Sequence, residues 1–342
     1  MWVSLSFRCE RNEQPFRARP PRRGGPKNFK GGPPIPSSEE KGMNIGYLGL
    51  GNMGGALARR LQLSQAIKVY DLDPEAVRRL ADTGATACAD MSDMADCDII
   101  LMCLPTSDHV RRAIFGEGGL AGVVKPGTLL VDQTSGDPVA TRAMADELAG
   151  KGIELIDAPV SGGPRGAEAG TIALMVGASE AQFQRINPVL TSISPNVFHA
   201  GGVGTGHVAK LANNMISAAQ RLVTMEAVAL AVKNGLAPDR ACEIIMAGSG
   251  NNFYLEHFMK PHIIQGRLNH GFTLGLLHKD VRLACKLGDD SGVTMFFGNT
   301  AKNIYQDAIN EYGADEQVSA VALLIDRMSG TQVVPPDHDL KK

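Results

Sequence analysis

Asn44-Ile45-Gly46-Tyr47-Leu48-Gly49-Leu50-Gly51-Asn52-Met53-Gly54 decides the fold. A short apolar run, strand-like in composition, feeds into three glycines spaced G-x-G-x-x-G, and helical sequence follows from Asn52 to Leu63. In a strand-turn-helix unit the first glycine permits the tight turn. The second lets backbone approach a pyrophosphate, and the third lets the helix pack closely on its strand. The helix start then offers free N–H groups and the positive end of its dipole to a negative ligand. Gly49, Leu50, Gly51, Asn52, Met53 and Gly54 are therefore the expected contacts to a dinucleotide.

Moving outward, Asp71 ends the next strand about twenty residues later, where a carboxylate accepts bonds from the adenine ribose hydroxyls and repels a 2′-phosphate. Leu72 follows it rather than an arginine, so NAD is expected ahead of NADP. The competing reading makes Asp71 a turn residue in Asp71-Leu72-Asp73-Pro74, with Asp73 as a helix N-cap and Pro74 at the first helical position. Further apolar runs at 67–71, 99–104, 128–132 and 153–157 alternate with helical segments such as 74–83 and 137–150. Uninterrupted apolar strands joined by helices predict a parallel sheet covered on both faces. A run at 171–177, a helix at 180–192 and a run at 196–199 extend that sheet. Ligands of such sheets lie beyond the carboxyl ends of the strands, which brings Leu104, Pro105 and Thr134 to the nicotinamide half of a cleft. For residues 132–135, a capping turn before the next helix is an equal alternative.

From His207 to Asn234 the chain has neither proline nor glycine, and it stops at Asn234-Gly235, predicting one long helix with a glycine end signal. Its apolar character on nearly all sides implies burial against other helices. Residues 238–328 read as helical, with breaks near 248–252, Pro261 and Gly271. The expected architecture is a doubly wound α/β domain of the Rossmann type over 43–204, then an all-α domain over 205–330. The long helix joins them, and residues 331–342 form a tail.

Gly204-Thr205-Gly206-His207-Val208-Ala209-Lys210-Leu211-Ala212-Asn213-Asn214 opens the long helix and sets Lys210 and Asn214 one turn apart on one face. Before it, Asp157-Ala158-Pro159-Val160-Ser161-Gly162-Gly163 leaves a strand with a hydroxyl and consecutive backbone N–H groups that can hold a carboxylate. Composition alone also permits a plain loop there. A lysine serves as base for an alcohol proton only if it is partly neutral, and burial beside a positively charged nicotinamide lowers its pKa. Asn214 can hydrogen-bond the lysine or a substrate without adding charge. His207 is the rival base, because an unperturbed histidine titrates closer to neutrality.

In this order the three motifs resemble the 3-hydroxyisobutyrate dehydrogenase family of β-hydroxyacid dehydrogenases, from Met43 to Met328. The resemblance implies that Lys210 is the general acid/base, that Asn214 orients, and that Ser161, Gly162 and Gly163 hold the substrate. It also implies that Lys279-Asp280 closes the site near the nicotinamide. Alternatively, Asp280 caps the following helix. His109, counted with the cofactor contacts, stands where the family often has asparagine, and Gln133-Thr134-Ser135 replaces a turn that often reads serine-serine or serine-threonine. Substrate assignment rests less firmly for it.

The implied reaction is NAD-dependent oxidation of a small β-hydroxyacid to its semialdehyde, with 3-hydroxyisobutyrate as the first substrate to test. Tartronate semialdehyde reductase is the rival within the class. A non-catalytic dinucleotide-binding scaffold is the reading from another class, opposed by the presence of Lys210, Asn214 and Ser161. Imine reductases share the fold but usually replace the lysine. A homodimer or homotetramer is expected.

Composition bounds the rest. With 342 residues, 44% apolar and a net charge of −2, the chain suits two globular domains and offers no basic stripe for nucleic acid. The six cysteines lie scattered, which reads as reduced thiols in a cytoplasmic setting, and the histidines lack metal spacing, so no metal is expected. Charges at Lys210, Arg221, Glu226 and Lys233 break the longest apolar helix, so no membrane span is expected. Residues 1–42 hold six Arg, seven Pro and five Gly, and read as a disordered extension or as sequence preceding a true start at Met43. A transit peptide to the mitochondrial matrix is the functional alternative, with Glu10, Glu13, Glu39 and Glu40 against it.

Overall fold

The computed structural model describes residues 43–341, so the expectation for residues 1–42 lies outside the described residues. Nine strands form one sheet: β1 (Ile45–Leu48), β2 (Ile67–Tyr70), β3 (Thr86–Ala87), β4 (Ile99–Met102), β5 (Leu129–Asp132), β6 (Glu154–Asp157), β7 (Val160–Ser161), β8 (Ala173–Gly177) and β9 (Val197–Gly201). The order is β3-β2-β1-β4-β5-β6-β8-β7, with β9 beside β8. Strand order reverses at β1, whose neighbours are β2 and β4, and this reversal opens the ligand crevice.

Alternation explains why the central strands read as unbroken apolar runs. Tyr47, Ile99, Leu101, Leu129, Val131 and Ile156 pack into the core on one face, and Leu48, Ile100, Met102, Leu130 and Leu155 into a second core on the other. Helices α1 (Asn52–Leu61), α2 (Pro74–Ala81), α3 (Ser107–Phe115), α4 (Leu120–Val123), α5 (Pro138–Ala149), α6 (Gly163–Ala169) and α7 (Glu180–Ile193) join the strands. The expected all-parallel sheet needs a correction at one edge, because β8 runs antiparallel to β6 and β7 before β9 returns parallel to β8. A strand buried on both faces has the same apolar run in either direction, so sequence alone does not reveal its sense.

Beyond the sheet stand α8 (Thr205–Lys233), α9 (Pro238–Ala247), α10 (Leu274–Ser291), α11 (Phe296–Tyr312) and α12 (Val321–Ser329), sharing a third core. The 29-residue α8 runs from β9 through the middle of this core and is long and apolar enough, by composition, to cross a bilayer. It is not covered on all sides as expected. Leu222, Met225, Val228 and Ala229 are buried, while Ile216, Val223 and Leu230, spaced seven apart, lie exposed on its outer face. The expected tail is anchored at Val333 and Val334, which are buried and whose amides donate to the Asp326 carboxylate at 2.8–2.9 Å.

Candidate active site

The glycine turn explains itself sterically. Gly49 has φ +89°, and a Cβ there would lie 2.5 Å from the Cys103 carbonyl oxygen. At Gly54 a Cβ would meet the Gly49 carbonyl at 2.0 Å, so α1 can close on β1 only without one. Gly51 differs, with nothing within 4 Å of its Cβ position. Open space over a bare backbone, at a helix start with no side-chain cap, fits a pyrophosphate. Leu50, Asn52 and Met53 complete this turn and the first residues of α1.

Asp71 does more than either sequence reading supposed. Its Oδ2 accepts from the Leu50 amide at 2.5 Å and its Oδ1 from the Asp73 amide at 2.8 Å, so it braces the glycine turn and its own turn together. Asp73 caps α2 by accepting from the Glu75 amide, with Pro74 in the first helical turn. Each Asp71 oxygen keeps lone-pair capacity for a ribose hydroxyl. Leu72 projects into solvent at 88% exposure, so the position after Asp71 itself carries no cation for a 2′-phosphate. Asp71→Ala is expected to weaken both dinucleotides by loosening the turn, and NAD more than NADP; calorimetric titration giving equal losses would leave Asp71 a brace only.

At the next strand ends, the Leu104 amide donates to Thr134 Oγ1 at 3.1 Å, tying the β4 and β5 loops together. Pro105 and Ser135 present carbonyls to Lys279 Nζ at 3.3 and 2.5 Å, so this lysine clamps α10 onto both loops. His109 is exposed on α3, with Nδ1 2.7 Å from Thr106 Oγ1, the cap of that helix. Gln133 is turned away into the sheet, where Oε1 accepts from Tyr47 Oη at 2.7 Å. The helix after this turn is capped by Asp137 instead of residues 132–135.

The substrate half assembles around α8. Lys210 is only 8% exposed, and among the described residues its amine has no hydrogen-bond or ion-pair partner. Burial drives its pKa below the ordinary value of 10.5; Asp280 pulls upward, Lys279 pushes further down. One turn on, Asn214 Nδ2 donates to Asp280 Oδ2 at 2.6 Å, and its Oδ1 accepts from Asn213 Nδ2 at 3.0 Å. Asn213 also reaches Ser161 Oγ at 3.3 Å, and Lys279 Nζ stands 3.1 Å from Asp280 Oδ1. Lys210 thus sits beside a chain of polar groups running from the Ser161 loop through Asn213, Asn214 and Asp280 to Lys279. Asp280 lies inside α10, which Thr273 caps, so the capping alternative falls. Gly162 and Gly163 have φ +136° and +68°, a path that leaves their amides at a loop ahead of α6.

His207, the rival base, is removed from contention by position. It is wholly buried, with Nε2 3.4 Å from Asp132 Oδ2 and within 3.1 Å of where a Cβ on Gly136 would stand. Burial depresses its pKa, but Asp132 and then Asp157 outweigh that and leave it raised. Sequence reading passed over Asp157 itself. This buried carboxylate accepts from the amides of Gly204 at 2.6 Å and His207 at 2.7 Å, capping the start of α8. The close approach depends on Gly206 and Gly177, where a Cβ would lie 2.8 and 2.4 Å from its oxygens. Its place heading the Asp157-to-Gly163 motif was the available signal, and Asn213 likewise stood inside a quoted motif.

Residues 44–202 match a family described as the NAD binding domain of 6-phosphogluconate dehydrogenase. Residues 204–325 match one described as NAD-binding of NADP-dependent 3-hydroxyisobutyrate dehydrogenase. The chain is 38% identical over 297 residues to a 2-(hydroxymethyl)glutarate dehydrogenase of Eubacterium barkeri, covering 86% of this chain and 98% of that one. It is 36% identical over 270 residues to the 3-hydroxyisobutyrate dehydrogenase of Pseudomonas aeruginosa, covering 77% and 91%. The chain belongs to the 3-hydroxyisobutyrate dehydrogenase family of β-hydroxyacid dehydrogenases. The structure of the Mycobacterium tuberculosis 3-hydroxyisobutyrate dehydrogenase with L-serine superposes at TM-score 0.75 and 30% identity, covering 83% of this chain and 99% of that one. As a member of this family the chain is a dehydrogenase with a nicotinamide-dinucleotide domain, and the glycine turn and Asp71 suit NAD.

Proposed function

We propose that this chain oxidises a small β-hydroxyacid carrying a primary alcohol to the corresponding semialdehyde, with NAD. The observation that carries the reading is Lys210: a buried amine with no counter-ion in contact among the described residues, one helical turn before Asn214 and under the electrostatic influence of Asp280 and Lys279. Ser161 and the Gly162 and Gly163 amides hold the substrate carboxylate, and main-chain donors at positive φ suit that task. Neutral Lys210 takes the hydroxyl proton, and in the reverse direction its protonated form returns it to the carbonyl oxygen. Asn214, held by Asp280 and Asn213, orients the hydroxyl without adding charge. The glycine turn and Asp71 would hold NAD, which when bound would supply the acceptor for the hydrogen leaving carbon with its electron pair.

3-Hydroxyisobutyrate carries the group that these contacts require, a hydroxymethyl on the carbon next to a carboxylate. The relatives named for 3-hydroxyisobutyrate and 2-(hydroxymethyl)glutarate share that unit and differ only in the arm on this carbon. Initial rates at the reduced-nicotinamide band, with NAD or NADP and 3-hydroxyisobutyrate, L-serine, D-glycerate and 2-(hydroxymethyl)glutarate, test the reading. Turnover of at least one with NAD supports it. Dinucleotide binding without turnover across the panel favours a protein that kept the fold and lost the chemistry.

A second copy of the chain is proposed to cover the outer face of α8, where Ile216, Val223 and Leu230 lie open at heptad spacing. Light scattering is expected to give a dimer or tetramer, and Val223→Asp a smaller species. A wild-type monomer at micromolar concentration would refute this.

A further inference from the structure

Arg221 is the anomaly of the helical half. It is 5% exposed, yet among the described residues Nε and Nη1 have no acceptor and no carboxylate pairs with it. Its guanidinium lies 4.7 Å from the Tyr254 ring centre and 5.6 Å from that of Phe258. A buried cation without a counter-charge is disfavoured unless something negative visits it.

Its position points to the visitor. Arg221 follows Lys210 by eleven residues and Asn214 by seven, so all three share one face of α8. Along the axis its Cα stands about 10 Å beyond that of Asn214, and long helical side chains lean back toward the N-terminus. Basic side chains share the Phe258 side of this cluster. His270 packs edge-on to Phe258 at 5.4 Å and against His262 at 5.0 Å, with Nε2 buried and unpaired. Burial first, then the charges of His262, Arg221 and Arg165, pull His270 down to about 4. Arg165 follows the Ser161 loop by four residues, and its charge, after burial and Arg267, also depresses His262. Arg165 itself stands on α6, the helix that follows the Ser161 loop. One carboxylate, Asp339, opposes this set at His270, and its oxygens already accept from the Leu268 and Asn269 amides.

We propose that the buried Arg221, with Arg165 adding positive charge from α6, forms a subsite for a second carboxylate, and that the preferred substrate is a β-hydroxyacid whose α-carbon bears a carboxylate-ended arm. This deepens the proposed function and rests on it. The first carboxylate stays with the Ser161 loop and the hydroxyl with Lys210, while the arm runs along α8 toward Arg221. The rival account is a purely structural cation stacked on Tyr254 and Phe258.

The test compares kcat/KM for 2-(hydroxymethyl)glutarate with that for 2-(hydroxymethyl)pentanoate, which has an arm of the same length and no second charge. The wild-type protein is expected to favour the diacid at least tenfold. Arg221→Met should bring that ratio down at least tenfold, and Arg165→Gln, at an exposed position, should reduce it in the same direction. A wild-type ratio near one, or a ratio unmoved by Arg221→Met, overturns the subsite while turnover of the neutral acid keeps the dehydrogenase reading standing. If Arg221→Met does not fold, the wild-type ratio and the Arg165→Gln ratio decide. No turnover of either acid or of 3-hydroxyisobutyrate counts against the proposed function itself, and turnover of 3-hydroxyisobutyrate alone counts against the arm.

Discussion

Lys210→Ala is expected to lower kcat for β-hydroxyacid oxidation roughly 10²-fold or more while NAD affinity stays nearly the same. The amine sits away from the glycine turn, on α8, and belongs to no hydrogen-bond network whose loss would disturb packing. Its removal deletes the proton acceptor and little else. Arginine makes the sharper control, since Lys210→Arg keeps a cation that cannot give up its proton and is expected to stay inactive. Single-turnover rates with saturating cofactor separate chemistry from binding. A Lys210→Ala protein with near-normal kcat would assign the proton to water, since His207 is wholly buried against Asp132.

The second large effect belongs to stability. Asp157→Ala is expected to cost about 3 kcal/mol, because two buried amides, those of Gly204 and His207, would each lose a charge-assisted acceptor. The same change exposes the positive end of the 29-residue α8 without a balancing anion. Burial raises the Asp157 pKa, against the pull of His207 and the two amides, so the carboxylate already carries a desolvation cost. That cost trims the net benefit of the charge, and Asp157→Asn, which retains an acceptor, is expected to recover part of the loss. Urea unfolding followed by circular dichroism reads the midpoint shift. A loss below about 1 kcal/mol for Asp157→Ala would mean that water replaces the carboxylate at the helix start.

How much of this was legible depends on how local the physics is. Gly49, Gly51 and Gly54 announce themselves because a backbone path and a close approach are fixed within six residues. The central strands are legible for the same reason, as each is an apolar run bounded by turns. β3 escaped because two residues, Thr86 and Ala87, carry no periodicity. The sense of β8 escaped because direction is set by its partners, not by its composition. Asp157 escaped because the amides it caps lie 47 and 50 residues away. The outer stripe of α8 escaped because Ile216 and Val228 are alike in sequence and differ only in what packs on them. Lys210 and Asn214 were legible through spacing, but the Asn213 bridge to Ser161 required the fold that brings the loop beside the helix.

The central claim is that a buried lysine, held partly neutral by its surroundings, accepts the alcohol proton. The pH dependence of kcat/KM for oxidation tests it most directly. The sign follows from the chemistry: the neutral amine is the active form, so the rate rises with pH through the pKa of Lys210, and burial displaces that limb below the ordinary lysine value of 10.5. The account predicts a rising limb with its midpoint clearly under that value, absent from the residual activity of Lys210→Ala. A flat profile, or the same limb surviving in Lys210→Ala, would contradict it.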